Sequence, residues 1–260
     1  MNRKPKVAIR RQLRKEVGFG CPVDGCGNPY LRWHHFDPPW RVQQHHNPQG
    51  MIALCSEHHD KADAGAYTKE QLREFKLRGA ERAEDVKGRF DWMRHDLLAV
   101  VGGNFYYRTP VIFQYRSQPI IWFTRDEDGY LLLNVRMLTT SREPRTEIED
   151  NFWLSRGNPD DLESPPSGKL LHVKYPNEDM LKVEFFELDS VAIAQKRYPE
   201  VDLEEHLKRY RDPPFPVTAV EVHNTVGGTN LEFKPRETKI GGGTITQSFF
   251  AYNQIGIAVS

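Results

Sequence analysis

Metal-binding residue types are concentrated in one stretch of the chain, residues 21–63. This stretch contains every cysteine of the protein and six of its ten histidines. They are Cys21, Cys26, Cys55, His34, His35, His45, His46, His58 and His59. Thiolate and imidazole groups gathered at short spacings are typical of metal sites. The stretch therefore indicates metal binding.

Four of these residues form two closely spaced pairs. Cys21 and Cys26 have four residues between them, and Cys55 and His58 have two. Each pair can lie on one tight turn and direct both side chains at one ion. Together they make a Cys3His set, which is typical of structural zinc and would supply about 10 kcal/mol of folding free energy. The alternative is three buried free cysteines beside a surface histidine, but the paired spacing favours zinc.

A second set of residues has the types needed for catalysis. His34 and His35 are adjacent on a predicted strand, so we expect their side chains on opposite faces. His59 and Asp63 are four residues apart on a predicted helix and share one face. One strand histidine and this helix pair can bind a harder divalent ion, while the other strand histidine deprotonates a water. Metal-assisted hydrolysis of a phosphodiester needs this division of labour.

The segments CPVDGC (21–26), HHFDP (34–38) and GMIALCSEHHDKAD (50–63) together resemble the zinc-containing HNH endonucleases, which have a ββα-metal fold. The resemblance covers residues 10–80, about a quarter of the chain. It implies a nuclease that hydrolyses DNA with a structural Zn²⁺ and a catalytic Mg²⁺ or Mn²⁺. It implies zinc ligands Cys21, Cys26, Cys55 and His58, the general base His35, and catalytic-ion ligands His34, His59 and Asp63.

One position departs from the pattern of that family. The motif asparagine usually stands directly before the apolar run that leads to the third zinc ligand, and this position is Gly50 here. We expect Asn47, three residues earlier, to orient the catalytic loop instead. Otherwise the chain is a catalytically silent, zinc-folded module that binds nucleic acid or a protein. His45 and His46 are expected to be exposed polar loop residues.

The local sequence predicts the elements that hold these residues. Apolar periodicity predicts a helix over residues 5–17, strands over 29–36 and 51–54, and a helix over 56–64 that is capped by Ser56. A Thr-x-x-Gln capping box from Thr68 to Gln71 begins a further helix. The first helix has a basic face, which is expected to lie along nucleic-acid phosphates. The residues of this face are Arg10, Arg11, Arg14 and Lys15.

From about residue 90 the composition becomes β-rich. Apolar runs separated by turn signals predict strands over residues 110–115, 119–124, 130–138, 172–175, 180–188 and 217–223, with a short helix over 202–210. We therefore predict an α+β protein of two domains. Residues 1–90 would form a small zinc-stabilised ββα-metal HNH domain with basic flanking helices. Residues 91–260 would form a larger, mostly-β domain, either a sandwich or β-solenoid-like.

The two predicted domains differ in charge. Residues 1–90 contain 17 Lys and Arg against 11 Asp and Glu, whereas residues 91–260 contain 19 against 25. The opposite signs suggest that the first domain faces DNA, although chance distribution over solvated surfaces is the alternative. The negative charge of the β-rich domain disfavours DNA contact. We expect this domain to regulate or recruit the nuclease through a protein partner or a small-molecule trigger, for example in defence against foreign DNA.

The composition bounds the class of protein. With 38% hydrophobic and 28% charged residues, the chain can form an ordinary packed core. It has no run of about 18 apolar residues, and its basic N-terminus lacks the apolar segment of a signal peptide. Three cysteines in one cluster argue against a disulfide scaffold. These features predict no membrane association and a cytoplasmic location.

Overall fold

The helices of the protein are short, and most of its regular structure is β. A computed structural model describes residues 2–79, 81, 86–210 and 212–260, without the side chains of residues 207–210. The described residues form α1 Val7–Glu16, α2 Ser56–Asp63, α3 Lys69–Gly79, α4 Val191–Arg197 and α5 Leu203–Tyr210, together with several open sheets. The predicted mixed α+β class is confirmed. Among these residues no helix is long and apolar enough to cross a membrane.

The first two strands form a separate antiparallel sheet. β1 (Leu31–His35) pairs with β2 (Met51–Cys55), and α2 begins directly after β2. Every residue of β2 is buried. The strand packs in a hydrophobic cluster with residues such as Leu13 of α1 and Leu72 of α3. The two strands and the helices around them therefore form where the sequence predicts them.

The two helices that follow β2 begin in different ways. The N-cap of α2 is Cys55, and no side chain caps this helix, so the predicted capping role of Ser56 is wrong. At α3 the predicted capping box is confirmed. The backbone N–H of Thr68 donates to Gln71 Oε1 at 2.9 Å, and the Gln71 N–H donates to Thr68 Oγ1 at 3.2 Å. These bonds satisfy N–H groups that have no partner within the helix.

The other strands form two larger sheets. They are β3 Val86–Arg89, β4 Leu98–Val101, β5 Asn104–Tyr107, β6 Val111–Tyr115, β7 Gln118–Arg125, β8 Leu131–Arg136, β9 Glu147–Glu149, β10 Phe152–Ser155, β11 Asp161–Glu163, β12 Leu170–Lys174, β13 Met180–Leu188, β14 Val217–Thr225, β15 Leu231–Phe233, β16 Thr238–Ile240, β17 Gly243–Ile245, β18 Phe249–Ala251 and β19 Ile255–Val259. The seven-stranded sheet has the order β19-β6-β7-β8-β9-β10-β3. The ten-stranded sheet follows the path β11-β12-β13-β14-β15-β16-β17, and β4, β5 and β18 join it through β14.

One hydrophobic cluster joins the two larger sheets. Leu133 and Val135 of the seven-stranded sheet are fully buried in it, together with Val183 and Val220 of the ten-stranded sheet. Two open sheets that share a core in this way are typical of a sandwich. The long neighbours β12, β13 and β14 pair antiparallel. The β-solenoid alternative is therefore wrong, because stacked solenoid rungs pair in parallel.

The seven-stranded sheet begins inside the segment that the sequence assigns to the first domain. β3 lies before residue 90, yet it pairs with β10. Tyr30 holds β3 from the other side of the chain, because its hydroxyl donates to the Arg89 carbonyl at 2.5 Å and accepts from the Arg89 N–H at 2.8 Å. In terms of sheet pairing, the β-rich part of the chain starts at Val86.

The basic face of α1 contacts acidic residues of β11. Arg14 is buried, and its Nη2 donates to the two carboxylate oxygens of Asp161 at 2.8 and 2.7 Å. Arg10 Nη1 donates to Glu163 Oε1 at 3.1 Å. The charges of Arg10 and Arg14 are therefore already paired within the chain. This arrangement uses Arg10 and Arg14 to join α1 to the β-rich part, and their contact with phosphates stays a prediction.

The other two basic residues of this face are more exposed. The side chains of Arg11 and Lys15 are 48% and 65% exposed. Each has a nitrogen 3.9 Å from a carboxylate oxygen, of Asp161 and Asp160 respectively. For these two residues, contact with phosphate stays a prediction.

We expect Asp161→Ala to destabilise the protein by about 3 kcal/mol, because it leaves the buried Arg14 charge without its main partner. The neighbouring Asp160→Ala removes an exposed pair with Lys15 and should change stability by no more than about 1 kcal/mol. Urea unfolding of both variants measures the difference. Equal destabilisation by the two variants would contradict the buried pairing.

Candidate functional site

The three cysteines and His58 lie together at one end of the β1–β2 hairpin. The sulfurs of Cys26 and Cys55 are 3.8 Å apart. His58 Nδ1 lies 3.4 Å from Cys21 Sγ and 3.2 Å from Cys55 Sγ. The four ligand atoms are all within 4.8 Å of one another, and the three cysteines are free of disulfides. The cluster that the sequence predicts is therefore assembled, and it could hold a metal ion.

Three of the separations within this cluster are those expected around a tetrahedral ion. With Zn–S bonds of about 2.3 Å and Zn–N bonds of about 2.0 Å, tetrahedral angles place two sulfurs about 3.8 Å apart. They place a sulfur and a nitrogen about 3.5 Å apart. The three measured distances agree with these values to within about 0.3 Å. The donor set and these spacings could therefore hold a structural metal ion.

Local backbone structure positions these ligands. The Cys26 N–H donates to the Val23 carbonyl at 3.0 Å, and the Gly27 N–H donates to the Cys21 carbonyl at 3.2 Å, which closes a tight turn between the first two cysteines. Cys55 is the last residue of β2 and the N-cap of α2, so His58 follows in the first turn of the helix. A turn and a strand–helix junction therefore supply two ligands each.

Burial of Cys21 and Cys55 favours the neutral form of both thiols. Burial raises the pKa of both Cys21 and Cys55, and the neighbouring Cys26 raises both further. Without a cation these thiols are protonated at neutral pH. A divalent cation reverses this preference, because the thiolate is the form that binds metal.

His34, His59 and Asp63 form a second group. His34 Nδ1 is 3.1 Å from Asp63 Oδ1, and His59 Nδ1 is 3.4 Å from Asp63 Oδ2. The ligand atoms of the three residues are within 4.8 Å of one another. Both histidines are buried, and among the described residues neither Nδ1 makes a hydrogen bond. Two buried imidazole nitrogens that approach one carboxylate are a donor set that could hold a cation.

His35 contacts a different set of side chains from His34. Its ring centroid lies 4.6 Å from that of Trp40, 5.3 Å from that of His45 and 6.1 Å from that of His46. The difference follows from the alternation of side chains along β1. His35 is 4% exposed, and in the described part of the chain neither ring nitrogen makes a hydrogen bond of good geometry. Burial lowers the pKa of His35 to about 4, and nearby basic groups contribute, so the ring is neutral at neutral pH.

Gly50 occupies the position at which the resemblance expects an asparagine. Its carbonyl oxygen accepts from the N–H groups of Phe36 at 2.9 Å and Asp37 at 3.2 Å. A Cβ atom at this position would overlap the Asp37 carbonyl oxygen and lie 3.0 Å from the His45 ring. The backbone cannot move aside without loss of those two hydrogen bonds. The fold therefore excludes a side chain at residue 50.

His45 and Asn47 hold this loop instead. The Asn47 side chain accepts from the Gln49 N–H at 3.1 Å and caps the short 3-10 helix Pro48–Gly50. His45 crosses the loop, because its Nε2–H donates to the Pro38 carbonyl at 2.8 Å and its Nδ1 accepts from the Asn47 N–H at 3.1 Å. The expectation that His45 is an exposed loop residue is wrong. The sequence-based choice of Asn47 missed the longer-range bridge that His45 forms.

The sequence carries little signal for these loop contacts. His46 is half-buried rather than freely exposed, and its ring stacks on Trp40 with a centroid separation of 5.7 Å. These contacts depend on how the loop between β1 and β2 folds back across β1. In the sequence, the His-His pair beside Asn47 is the one feature that could have pointed to them.

We expect Gly50→Asn, which restores the residue of the family pattern, to destabilise the protein by about 3 kcal/mol or more, because the new side chain collides with backbone. Gly242→Asn is the control, since a Cβ there would meet nothing within 4 Å. It should change stability by less than about 1 kcal/mol. Thermal unfolding distinguishes the two, and a fully stable Gly50→Asn variant would argue against the close approach of Asp37.

A cleft of about 490 Å³ opens beside His59. His59 lines it, together with Leu31 and Trp33 of β1 and with Pro165 and Pro166 of the β-rich part. Its basic lining residues are Arg3, Lys4, Arg10, Arg14 and Arg32. Arg10 and Arg14 are already paired with acidic residues of β11, so it is the three exposed cations of this lining that suit an anionic substrate.

No known protein family, curated protein or solved structure matches the chain.

Proposed function

We propose that the protein is a metal-dependent endonuclease of the HNH type, which hydrolyses phosphodiester bonds in DNA. The observation that carries this proposal is the arrangement at the end of β1. The adjacent residues His34 and His35 belong to two different groups. His34 lies with His59 and Asp63, whereas the second group is centred on the buried, neutral imidazole of His35. Phosphodiester hydrolysis needs this separation of metal ligand and general base. The structural Zn²⁺ would be held by Cys21, Cys26, Cys55 and His58.

His35 is the general base of the proposed reaction. It is neutral at neutral pH and so can accept a proton from the water that attacks the phosphate. Burial keeps its pKa at about 4, and a bound phosphate raises it again, because a nearby negative charge favours the imidazolium form. His45 holds the loop around this base through its hydrogen bonds to Pro38 and Asn47.

His34, His59 and Asp63 would hold the catalytic divalent ion, Mg²⁺ or Mn²⁺. When bound there, the ion stabilises negative charge on the phosphate and on the leaving oxygen. The exposed basic residues of the adjacent cleft, such as Arg32, attract and orient the phosphate backbone. Asp63 faces both histidines and is half-exposed, so its carboxylate can release bound water and bind the ion without rearrangement of the core.

The test is a plasmid-nicking assay across divalent metals, with zinc content measured alongside. We expect nicked or linear products that require Mg²⁺ or Mn²⁺ and that EDTA suppresses. Asp63→Ala should lower cleavage at least about tenfold, because it removes a ligand of the catalytic ion. Glu57→Ala, on the same helix and 67% exposed, is the matched control and should cleave like the unmodified protein.

A second candidate function is a zinc-folded module that binds DNA without cutting it. The exclusion of any side chain at Gly50 favours this alternative, since the family pattern places an asparagine there. Such a module would shift DNA in a gel but give no products with any divalent metal. That result would contradict the proposed nuclease activity.

A further inference from the structure

The cleft beside His59 has walls from both parts of the chain. One wall is the edge of β1, with Leu31 and Trp33, and the opposite wall is the segment that follows β11. Tyr30 and Ser164, the latter a lining residue of the cleft, form a parallel β-bridge. Ser164 Oγ donates to the Leu170 carbonyl at 3.0 Å, which ties the second wall to β12. The β-rich part is therefore built into this cleft.

The walls of the cleft are chemically unequal. Trp33, Pro165 and Pro166 offer flat apolar surfaces, whereas Arg3 and Lys4 offer cations at the rim. Among the described residues the side chains of Arg3 and Lys4 form no ion pair with a carboxylate, in contrast to the paired Arg10 and Arg14 of α1. The cations at the rim are therefore free to meet a ligand, and the apolar faces are free to stack with one.

This combination of surfaces fits a nucleotide. The rim would contact the phosphate, and the apolar walls would contact the base, since every base has a π-face that stacks on aromatic and apolar side chains. The volume of about 490 Å³ falls within the usual range for small-ligand pockets. A base within a duplex is covered by its stacked neighbours, so it can enter such a cleft only when it is unpaired.

We propose that this cleft binds one unpaired nucleotide next to the scissile phosphate, so that the enzyme prefers single-stranded or locally unpaired DNA. The inference rests on the proposed nuclease function and deepens it by naming the substrate. It also changes the role expected of the β-rich part, which supplies a wall of the substrate site despite its net negative charge. The ion pairs of Arg10 and Arg14 with β11 hold that wall beside the candidate metal group.

The substrate preference is tested first. Binding of a fluorescent single-stranded oligonucleotide and of its fully paired duplex is measured by anisotropy with the zinc-loaded His35→Ala variant, which removes the proposed base without touching the cleft. We expect about tenfold tighter binding of the single strand, as stacking of one base would supply. Cleavage of the same two substrates by the unmodified protein should show the same preference.

The cleft itself is tested by matched substitutions. Pro166→Glu places a negative charge on the wall and should remove the preference for the single strand, whereas Ser167→Glu, the exposed neighbour that does not line the cleft, should retain it. Lys4→Ala should lower the slope of log affinity against log salt concentration for the single strand by about 1, which corresponds to one lost phosphate contact. Lys6→Ala should leave this slope unchanged.

Two results would overturn this inference, and only the second would also reject the nuclease function. Equal binding and cleavage of single strand and duplex, unaffected by Pro166→Glu, would reject the nucleotide cleft and leave the nuclease function standing. Absence of cleavage of both substrates with Mg²⁺ and with Mn²⁺ would reject the nuclease function and this inference with it.

Discussion

Cys55→Ala is expected to abolish zinc binding and to unfold the β1–β2 hairpin with the helices around it. Cys55 is the ligand that joins both pairs, because its sulfur lies 3.8 Å from Cys26 and 3.2 Å from His58 Nδ1. Three remaining ligands cannot complete the tetrahedral set. Structural zinc contributes about 10 kcal/mol or more to small domains at neutral pH, which is of the same size as the total stability of a domain.

The β-rich part should survive this substitution. The hydrophobic cluster around β2 and the cluster between the two larger sheets are separate, so loss of the first need not melt the second. Metal analysis should show the loss of the bound zinc, and hydrogen exchange should show loss of protection confined to residues before β3. Ser56→Ala, one residue away and without a capping bond, is the control. Full zinc content in Cys55→Ala would reject the Cys3His site.

His35→Ala is expected to reduce DNA cleavage by about 10²–10⁴-fold, the usual contribution of a general base. The substitution removes a buried side chain whose ring nitrogens make no good hydrogen bond in the described structure, so no bonded partner is left unsatisfied. The zinc ligands lie at the far end of the hairpin and should keep their metal. Unchanged zinc content and an unchanged circular dichroism spectrum would therefore show that the lost cleavage reflects the missing base and not unfolding.

Added imidazole separates a catalytic role of His35 from a structural one. The truncated side chain leaves space beside Trp40 and His45, and a free imidazole that enters it can accept the proton. We expect partial recovery of cleavage that follows the neutral fraction of imidazole as pH rises. His95→Ala, whose ring stacks on Tyr130 in the β-rich part, should cleave normally. Cleavage by His35→Ala at the unmodified rate would rule out this base.

The contact between α1 and β11 changes the interpretation of the charge asymmetry. The positive first part and the negative second part of the chain suggested a surface for DNA and a surface away from it. Some of these opposite charges instead neutralise one another within the molecule, where the buried Arg14 forms a bidentate pair with Asp161. Buried charges need a close partner, and surface charges do not. Net charge by itself cannot distinguish the two.

The loop between β1 and β2 also contains contacts that the sequence did not predict. The resemblance led us to expect an asparagine at residue 50, where the chain has glycine, and we predicted Asn47 as its replacement. The structure adds that residue 50 must be glycine because the Asp37 carbonyl occupies the space of its side chain. It also adds that His45, rather than Asn47 alone, spans the loop. Close backbone approach and bonds across a loop have no signature in residue spacing.

The sequence by itself predicted the Cys3His cluster, the hairpin and helices that carry it, and the mixed α+β class, all of which the structure contains. These features follow from neighbours along the chain, since a tight turn, a strand end and the first turn of a helix direct nearby side chains almost independently of the rest. Only the tertiary structure decided which charges are paired, what fills the space at Gly50 and which walls enclose the cleft. Arg14 and Asp161 are 147 positions apart, and a pattern of charges does not say which distant partner the fold will bring to each.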